Sequence, residues 1–264
     1  MGVLRTEEDI KLKIQELKNR IKNNPKVYGS FLKFIKGPNV LEIGCAVGHV
    51  LNFIDFNIDN LKLFGADIEE DMVNVAKDFF PKARYSLIEK ASVLPFEDNF
   101  FDSVLLIHVA HEIQSVTGYE EFKKSVKEIY RTTKKGGKII IRDFIYLKNN
   151  LVVDSNHFDL NLLKEFQEGY KKRQVSFKEL NNGLINLSAQ DFFEFNHFLQ
   201  SHDSKKSSFE MYESHFSISS EEYFSALSEA GFVCKIKFVS EPPLREVIEG
   251  QTCPRMAIII GVKY

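Results

Sequence analysis

The stretch Val40-Leu41-Glu42-Ile43-Gly44-Cys45-Ala46-Val47-Gly48-His49-Val50 reads as a strand, a turn and the start of a helix. Gly44 permits a tight turn and Gly48 leads into the helix, so backbone N–H groups and a helix N-terminus can approach a ligand unobstructed. A pyrophosphate-binding G-x-G-x-x-G turn needs glycine at its closest backbone approach, where this chain has Ala46. A ligand without phosphates at that point tolerates alanine. Asp67 closes the next apolar run, where a doubly wound sheet places a carboxylate on the two hydroxyls of a ribose. Ile68 would then pack against the adenine ring. Asp67 also reads as a cap for the following helix, a role for which Glu70 and Asp71 are as well placed.

A second group of reactive residues, His108-Val109-Ala110-His111-Glu112, follows the apolar run Ser103–Ile107. In open α/β sheets ligands lie beyond the carboxyl ends of the strands, so these residues border the site. An imidazole titrates near neutrality, which makes His111, with Glu112 beside it, a candidate catalytic base. The alternative is that His111 only hydrogen-bonds backbone where strand turns to helix. His108 is expected to contact the cofactor or form the site wall. His108, His111 and Glu112 with Asp143 also suggest a divalent ion. However, the spacing is neither H-E-x-x-H nor H-x-x-E-H and no cysteine supports it, so no metal is expected. Asp143 is left to pair with Arg142 or to orient a polar group of a substrate.

These residues need a scaffold. Apolar runs at 40–43, 61–66, 103–107 and 138–142 alternate with helical patterns at about 70–80 and 119–132, which implies a parallel sheet covered on both faces. Residues 6–22 form an amphipathic pattern through Ile10, Ile14, Leu17 and Ile21, and 28–36 a second short helix. A helix opened by Ser219-x-x-Glu222 and closed by Gly231 precedes final strands at 232–239 and 256–262.

Together Glu42-Ile-Gly-Cys-Ala-Val-Gly-His49, Ala66-Asp-Ile-Glu-Glu-Asp-Met72, Leu94-Pro-Phe-Glu-Asp-Asn-Phe-Phe-Asp-Ser-Val104 and Lys134-Lys-Gly-Gly-Lys-Ile-Ile-Ile141 resemble the class I S-adenosylmethionine (SAM)-dependent methyltransferases. The resemblance covers 39–143, and 217–262 fit that family's last helix and hairpin strands. It implies a doubly wound, Rossmann-like α/β fold with a seven-stranded sheet, one strand antiparallel. It implies Glu42 near the methionine amine, Gly44, Cys45 and Gly48 along the amino-acid portion, and Asp67 on the ribose. It also aligns His111 and Glu112 with the histidine–acid pair of plant-type O-methyltransferases. Relatives carry Asp before the Ala that precedes Leu-Pro-Phe, to reach the adenine amino group. This chain has Lys90 there, which cannot accept a hydrogen bond. Either the backbone of Ala91 and the side chain of Ser92 serve the adenine, or Glu89 substitutes.

The expected organisation is an N-terminal helical cap (1–38), a SAM-binding core (39–143 and 217–264) and a helical lid inserted at 144–216, between the fifth strand and the last helix. The insertion holds 13 of the chain's Phe and Tyr residues. One of its helices has Leu163, Phe166 and Tyr170 on a face. Another starts at Ser188 with Phe192, Phe195 and Leu199 inward. Such a lid would enclose an apolar pocket for a small acceptor, with Phe195 in its wall and Tyr28 and Phe31 closing the far side. Its four histidines, His157, His197, His202 and His215, look scattered and structural.

Composition narrows the partners. The net charge is −2, and three separated cysteines argue against a disulfide framework, fitting a reducing, cytoplasmic setting. No run is long and apolar enough for a signal peptide or a membrane span. The first 37 residues carry nine Lys/Arg against four Asp/Glu, while the insertion has eight against ten. The basic segment keeps RNA open as a partner and the acidic insertion argues against it. The leading expectation is methyl transfer from SAM to oxygen or nitrogen of a small molecule. Methylation of tRNA or protein and a non-catalytic SAM-binding partner subunit are the alternatives. The oligomeric state stays open, a homodimer included.

Overall fold

The computed structural model describes residues 15, 29–201, 211–212, 214–239, 244–248, 250–251 and 254–264. The helix expected over 6–22, together with Tyr28, His202 and Cys253, lies outside the described residues apart from Gln15.

A seven-stranded sheet forms the body. Its strands are β1 (Asn39–Ile43), β2 (Lys62–Asp67), β3 (Arg84–Leu87), β4 (Phe101–Ile107), β5 (Thr133–Phe144), β9 (Phe232–Phe238) and β10 (Met256–Lys263), in the order β3-β2-β1-β4-β5-β10-β9. β10 runs antiparallel to both neighbours, and the other pairings are parallel. The chain reverses its winding between β1 and β4, and the crevice at their carboxyl ends is where such sheets bind ligands.

Alternation along each strand sorts residues onto two buried faces. Leu41, Ile43, Val104, Leu106, Ile139 and Ile141 meet α3 (Ala110–Thr117), α4 (Tyr119–Thr132) and α7 (Ser220–Ala230) through Ala110, Phe122, Val126, Ile129, Tyr223 and Leu227. Val40, Leu63, Leu105, Ile140 and Ile258 meet the opposite layer. That layer is made by a 3₁₀ turn (Gly29–Phe34), by α1 (His49–Asn57) through Leu51 and Ile54, and by the stretch at the end of α2 (Glu70–Phe79). Both faces are dry, which is why the central strands are near-continuous apolar runs.

Phe31 is fully buried in this second layer. The chain just after it binds the amino ends of the strands: Lys36 N donates to Ser103 Oγ (2.8 Å) and Lys36 Nζ to the Gly136 carbonyl (3.1 Å). Phe31 therefore packs the core away from the ligand edge and does not close a substrate pocket.

The insertion is helical where its periodicity indicated, in α5 (Leu160–Gly169) and α6 (Ala189–Ser201). It also contains a three-stranded antiparallel sheet not evident from the sequence pattern: β6 (Asn150–Asp154), β7 (Phe177–Glu179) and β8 (Leu184–Ser188), in the order β6-β8-β7. Leu151, Val153, Ile185 and Leu187 point from this sheet to Leu163, Phe166, Phe192, Phe195 and Phe198, a separate apolar core. Phe195 is fully buried there, against Phe158 and Phe166 (ring centroids 5.2 and 5.8 Å apart), so it supports the insertion instead of facing a substrate.

Ser219 forms a reciprocal capping box with Glu222 at the start of α7, and Gly231 ends the helix at φ 104°, where a side chain would be strained. Replacing Ser219 by Ala should cost about 1 kcal/mol of stability. Urea unfolding monitored by circular dichroism checks this, and an unchanged midpoint would show that the cap carries no weight.

Candidate active site

β1 delivers the chain into the turn Gly44–Gly48 at the carboxyl edge of the sheet. Gly44 (φ 71°) and Gly48 (φ 76°) both adopt the left-handed backbone that glycine allows, and Ala46 follows them at φ 43°. A Cβ on Gly44 would come within 2.4 Å of Val109 Cγ2, so the loop after β4 closes directly onto this turn. Gly48 caps α1, aiming that helix's N-terminus toward the edge.

Asp67, at the end of β2, holds the turn in place. Its Oδ2 accepts from Ala46 N (2.7 Å) and its Oδ1 from Glu69 N (3.0 Å). One carboxylate thus fixes the glycine turn and the approach to α2 together. Each oxygen keeps a further lone pair for a hydroxyl donor. Ile68 beside it is 63% exposed, an apolar surface at the ligand edge.

Glu42 is buried, and its Oε2 has no hydrogen-bond partner among the described residues. Burial, reinforced by the neighbouring Asp67 charge, raises its pKa well above the ordinary carboxylate range. An ammonium group brought to Oε2 would satisfy the orphaned oxygen and restore its charge. Cys45 donates its backbone N–H to the Ala66 carbonyl (3.2 Å) and buries its side chain. Burial, with Glu42 and Asp67 nearby, pushes the thiol pKa far up, so Sγ stays protonated and unreactive.

Ala91 is buried, and the Ser92 hydroxyl donates to Glu121 Oε1 of α4, leaving its oxygen able to accept. Lys90 Nζ also lies 3.6 Å from the Glu121 carboxylate, and Glu89 is exposed. Lys90, at the position where the resemblance implies a carboxylate, thus has an acidic partner on α4.

The acid that meets His111 is Asp143, at the end of β5. Asp143 is fully buried; its Oδ1 lies 2.6 Å from His111 Nδ1, and its Oδ2 accepts from His111 N (3.0 Å). The carboxylate therefore caps α3, whose own N-cap Val109 has no side-chain acceptor, and orients the ring in the same step. Glu112 is exposed on α3, and its charge adds to that of Asp143 at His111. Arg142 and Asp143 are adjacent on a strand and project to opposite faces, so they take different partners. Arg142 Nη1 meets the ring of His108, which stands at φ 57°.

Burial alone would lower the His111 pKa, but the Asp143 carboxylate, with the charges of Glu112 and Glu194, more than offsets it and holds the imidazole above its usual value. Asp143 likewise titrates below its ordinary range because His111 outweighs the cost of its burial. With Nδ1 committed to Asp143, Nε2 is the nitrogen that can face an acceptor.

The insertion contributes more than shape. Around the half-buried Phe144 ring lie His111 (5.2 Å between centroids), His108 (5.4 Å), His215 (5.8 Å), His197 (6.0 Å) and Phe216 (5.1 Å). Ser217 Oγ donates to the His111 carbonyl (2.9 Å), tying the end of the insertion to α3. His197 and His215, which looked scattered in the sequence, therefore meet His111. Their spacing from it, about a hundred residues, carries no signal of this.

A parallel sheet with one antiparallel strand, a glycine turn at its switch point and an acid at the tip of the second strand agree with the resemblance to class I SAM-dependent methyltransferases. Residues 41–141 match the family model described as a methyltransferase domain, and the cofactor such a domain implies is S-adenosylmethionine. The chain is 27% identical over 142 residues to the ubiquinone/menaquinone biosynthesis C-methyltransferase UbiE of Rickettsia prowazekii (strain Madrid E), covering 51% of this chain and 54% of that protein. It is 31% identical over 122 residues to the sterol 4-C-methyltransferase strm-1 of Caenorhabditis elegans, covering 43% of this chain and 33% of that protein. It spans about half the length, or less, of these relatives. Among solved structures, a SAM-dependent methyltransferase from Thermotoga maritima shares the fold at 20% identity (TM-score 0.52), covering 95% of this chain and 96% of that one.

The Asp143–His111 pair makes a specific pH prediction. Asp143 contributes stability above its unfolded pKa, about 4, and loses it as pH falls through its depressed folded value. His111 contributes below its unfolded pKa, about 6.5, and loses it as pH rises through its raised folded value. The pair is fully stabilising between those two ordinary values. Asp143→Asn should lower the His111 pKa, lower stability within that window, and remove the pair's losses of stability below about pH 4 and above about pH 6.5. Histidine NMR titration alongside unfolding at several pH values tests this; an unmoved His111 pKa would refute the pairing.

Proposed function

We propose that this protein transfers the methyl group of S-adenosylmethionine to a small-molecule acceptor bound under the insertion, with His111 taking the acceptor's proton. The observation that carries the reading is the buried Asp143–His111 pair standing beside the loop that closes on the glycine turn. A base beside a methyl donor serves acceptors that must lose a proton, such as a hydroxyl or an amine. The similarity to quinone and sterol C-methyltransferases supports small-molecule methylation in general, and an activated hydroxyl-bearing ring is compatible with either oxygen or carbon as the methylated atom.

In this reading Glu42 takes the amine of the cofactor's methionine portion, Gly44 to Gly48 provide backbone along it, and Asp67 accepts from the ribose. Ile68 packs the adenine, Ala91 and the Ser92 oxygen border it, and His108 forms part of the wall. The cofactor supplies an electrophilic methyl group on a sulfonium. The protein's part is to bind it, exclude water and place a base opposite it. His111 would accept the proton at Nε2, and Asp143 would hold the ring and stabilise the resulting imidazolium, while staying ionised itself. No helix among the described residues is long and apolar enough to cross a membrane.

Calorimetry with S-adenosylhomocysteine tests the cofactor assignment. The native chain should bind, and Asp67→Ala should weaken binding about tenfold or more, about 1.4 kcal/mol. Equal affinity in both proteins would remove Asp67 from the site. No binding to the native chain would overturn the assignment as a whole.

A further inference from the structure

We propose that the insertion supplies a second acid–histidine unit, Glu194–His215, which completes the acceptor site beside Asp143–His111 and selects acceptors with a weakly acidic aryl hydroxyl. This rests on the methyl-transfer reading above.

Glu194, on α6, is 3% exposed, a position a carboxylate occupies only when well partnered. Among the described residues, its hydrogen-bond donors at close range come from one short segment. Ser214 Oγ (2.6 Å) and Phe216 N (2.9 Å) donate to Oε1, and His215 N (3.1 Å) donates to Oε2, with His215 Nδ1 at 3.8 Å from Oε2. Burial works against the charge, yet His215 and Ser214 hold the carboxyl below its ordinary range. As at His111, a buried carboxylate accepts from a histidine's backbone N–H, with the ring nitrogen on the same side but farther off, 3.8 Å against 2.6 Å. The two imidazoles lie 5.6 Å apart between centroids, inclined at 33°, and both flank Phe144. The His197 ring lies against His215, 3.9 Å between centroids and tilted by 38°.

Two carboxylate-backed imidazoles beside a half-buried phenyl ring suit an aromatic acceptor. Its ring would pack on Phe144 and its hydroxyl would meet both histidines. The hydroxyl proton passes to Nε2 of His111, and the oxygen retains the electron pair. His215 donates a hydrogen bond to that oxygen and stabilises its developing negative charge. An aliphatic alcohol is too weak an acid to benefit equally. A carboxylic acid is already ionised and has no proton to transfer. The acceptor site is on this view built jointly by the core and the insertion.

The test uses para-nitrophenol, whose ionisation is visible by absorbance, with the full chain saturated in S-adenosylhomocysteine. Native protein should bind the probe and lower its apparent pKa. His215→Gln and Glu194→Gln should weaken probe binding about tenfold and abolish the pKa shift. S-adenosylhomocysteine affinity should stay within about twofold, as expected for sites without shared contacts. His215→Asn serves if the Gln variant does not fold, judged by circular dichroism. Native-like binding and ionisation in a folded His215 variant would overturn the second unit. A native protein that binds S-adenosylhomocysteine but not the probe would overturn the acceptor class. Failure to bind S-adenosylhomocysteine would instead overturn the underlying methyltransferase reading.

Discussion

The carboxylate of Asp143 is the interaction on which the rest of the candidate site depends. It is fully buried, where an unpaired charge would cost several kcal/mol. Its stability therefore requires that β5, the N-terminus of α3 and the His111 ring all stand in one arrangement. Phe144 N, His111 N and His111 Nδ1 complete its hydrogen bonding. Because β5 is central in the sheet, this arrangement inherits the rigidity of the core. The catalytic candidate is thereby mounted on a strand end and a helix start, and not on a loop free to move.

Asp67 has a parallel role on the other side of the switch point. It binds the turn after β1 and the chain after β2, so two loops that would otherwise move independently hold one shape. The glycine turn needs this support because its residues spend backbone freedom on left-handed conformations. Val109 then fills the space next to Gly44, linking the cofactor edge to the loop that precedes His111. The two buried acids thus position the two halves of the edge where cofactor and acceptor must meet.

Among its described residues the insertion has its own three-stranded sheet, two α-helices and an apolar core that takes up most of its phenylalanines. It is stitched to the body where its ends return: Tyr146 bridges Ser219, and Ser217 binds the His111 carbonyl. These joints bring His215, with Glu194 behind it, beside His111, so the aromatic richness of the segment builds the support for that pair.

The sequence by itself determined the sheet, the glycine turn and the acid at the tip of β2. These are encoded locally: apolar alternation gives strands, glycine gives the turn, and chain order places both at one edge. The Ser219 cap and the Gly231 stop were legible for the same reason. β3 (Arg-Tyr-Ser-Leu) was not, because an edge strand half open to solvent needs no apolar pattern, and the insertion's strands were hidden among helix-compatible residues. Only the tertiary structure decided that Asp143 binds the His111 ring, that Phe31 and Phe195 are core, and that His197 and His215 gather with His111 around Phe144. Those outcomes depend on which face of a strand or helix meets a partner far along the chain, and distance along the sequence does not encode proximity in space.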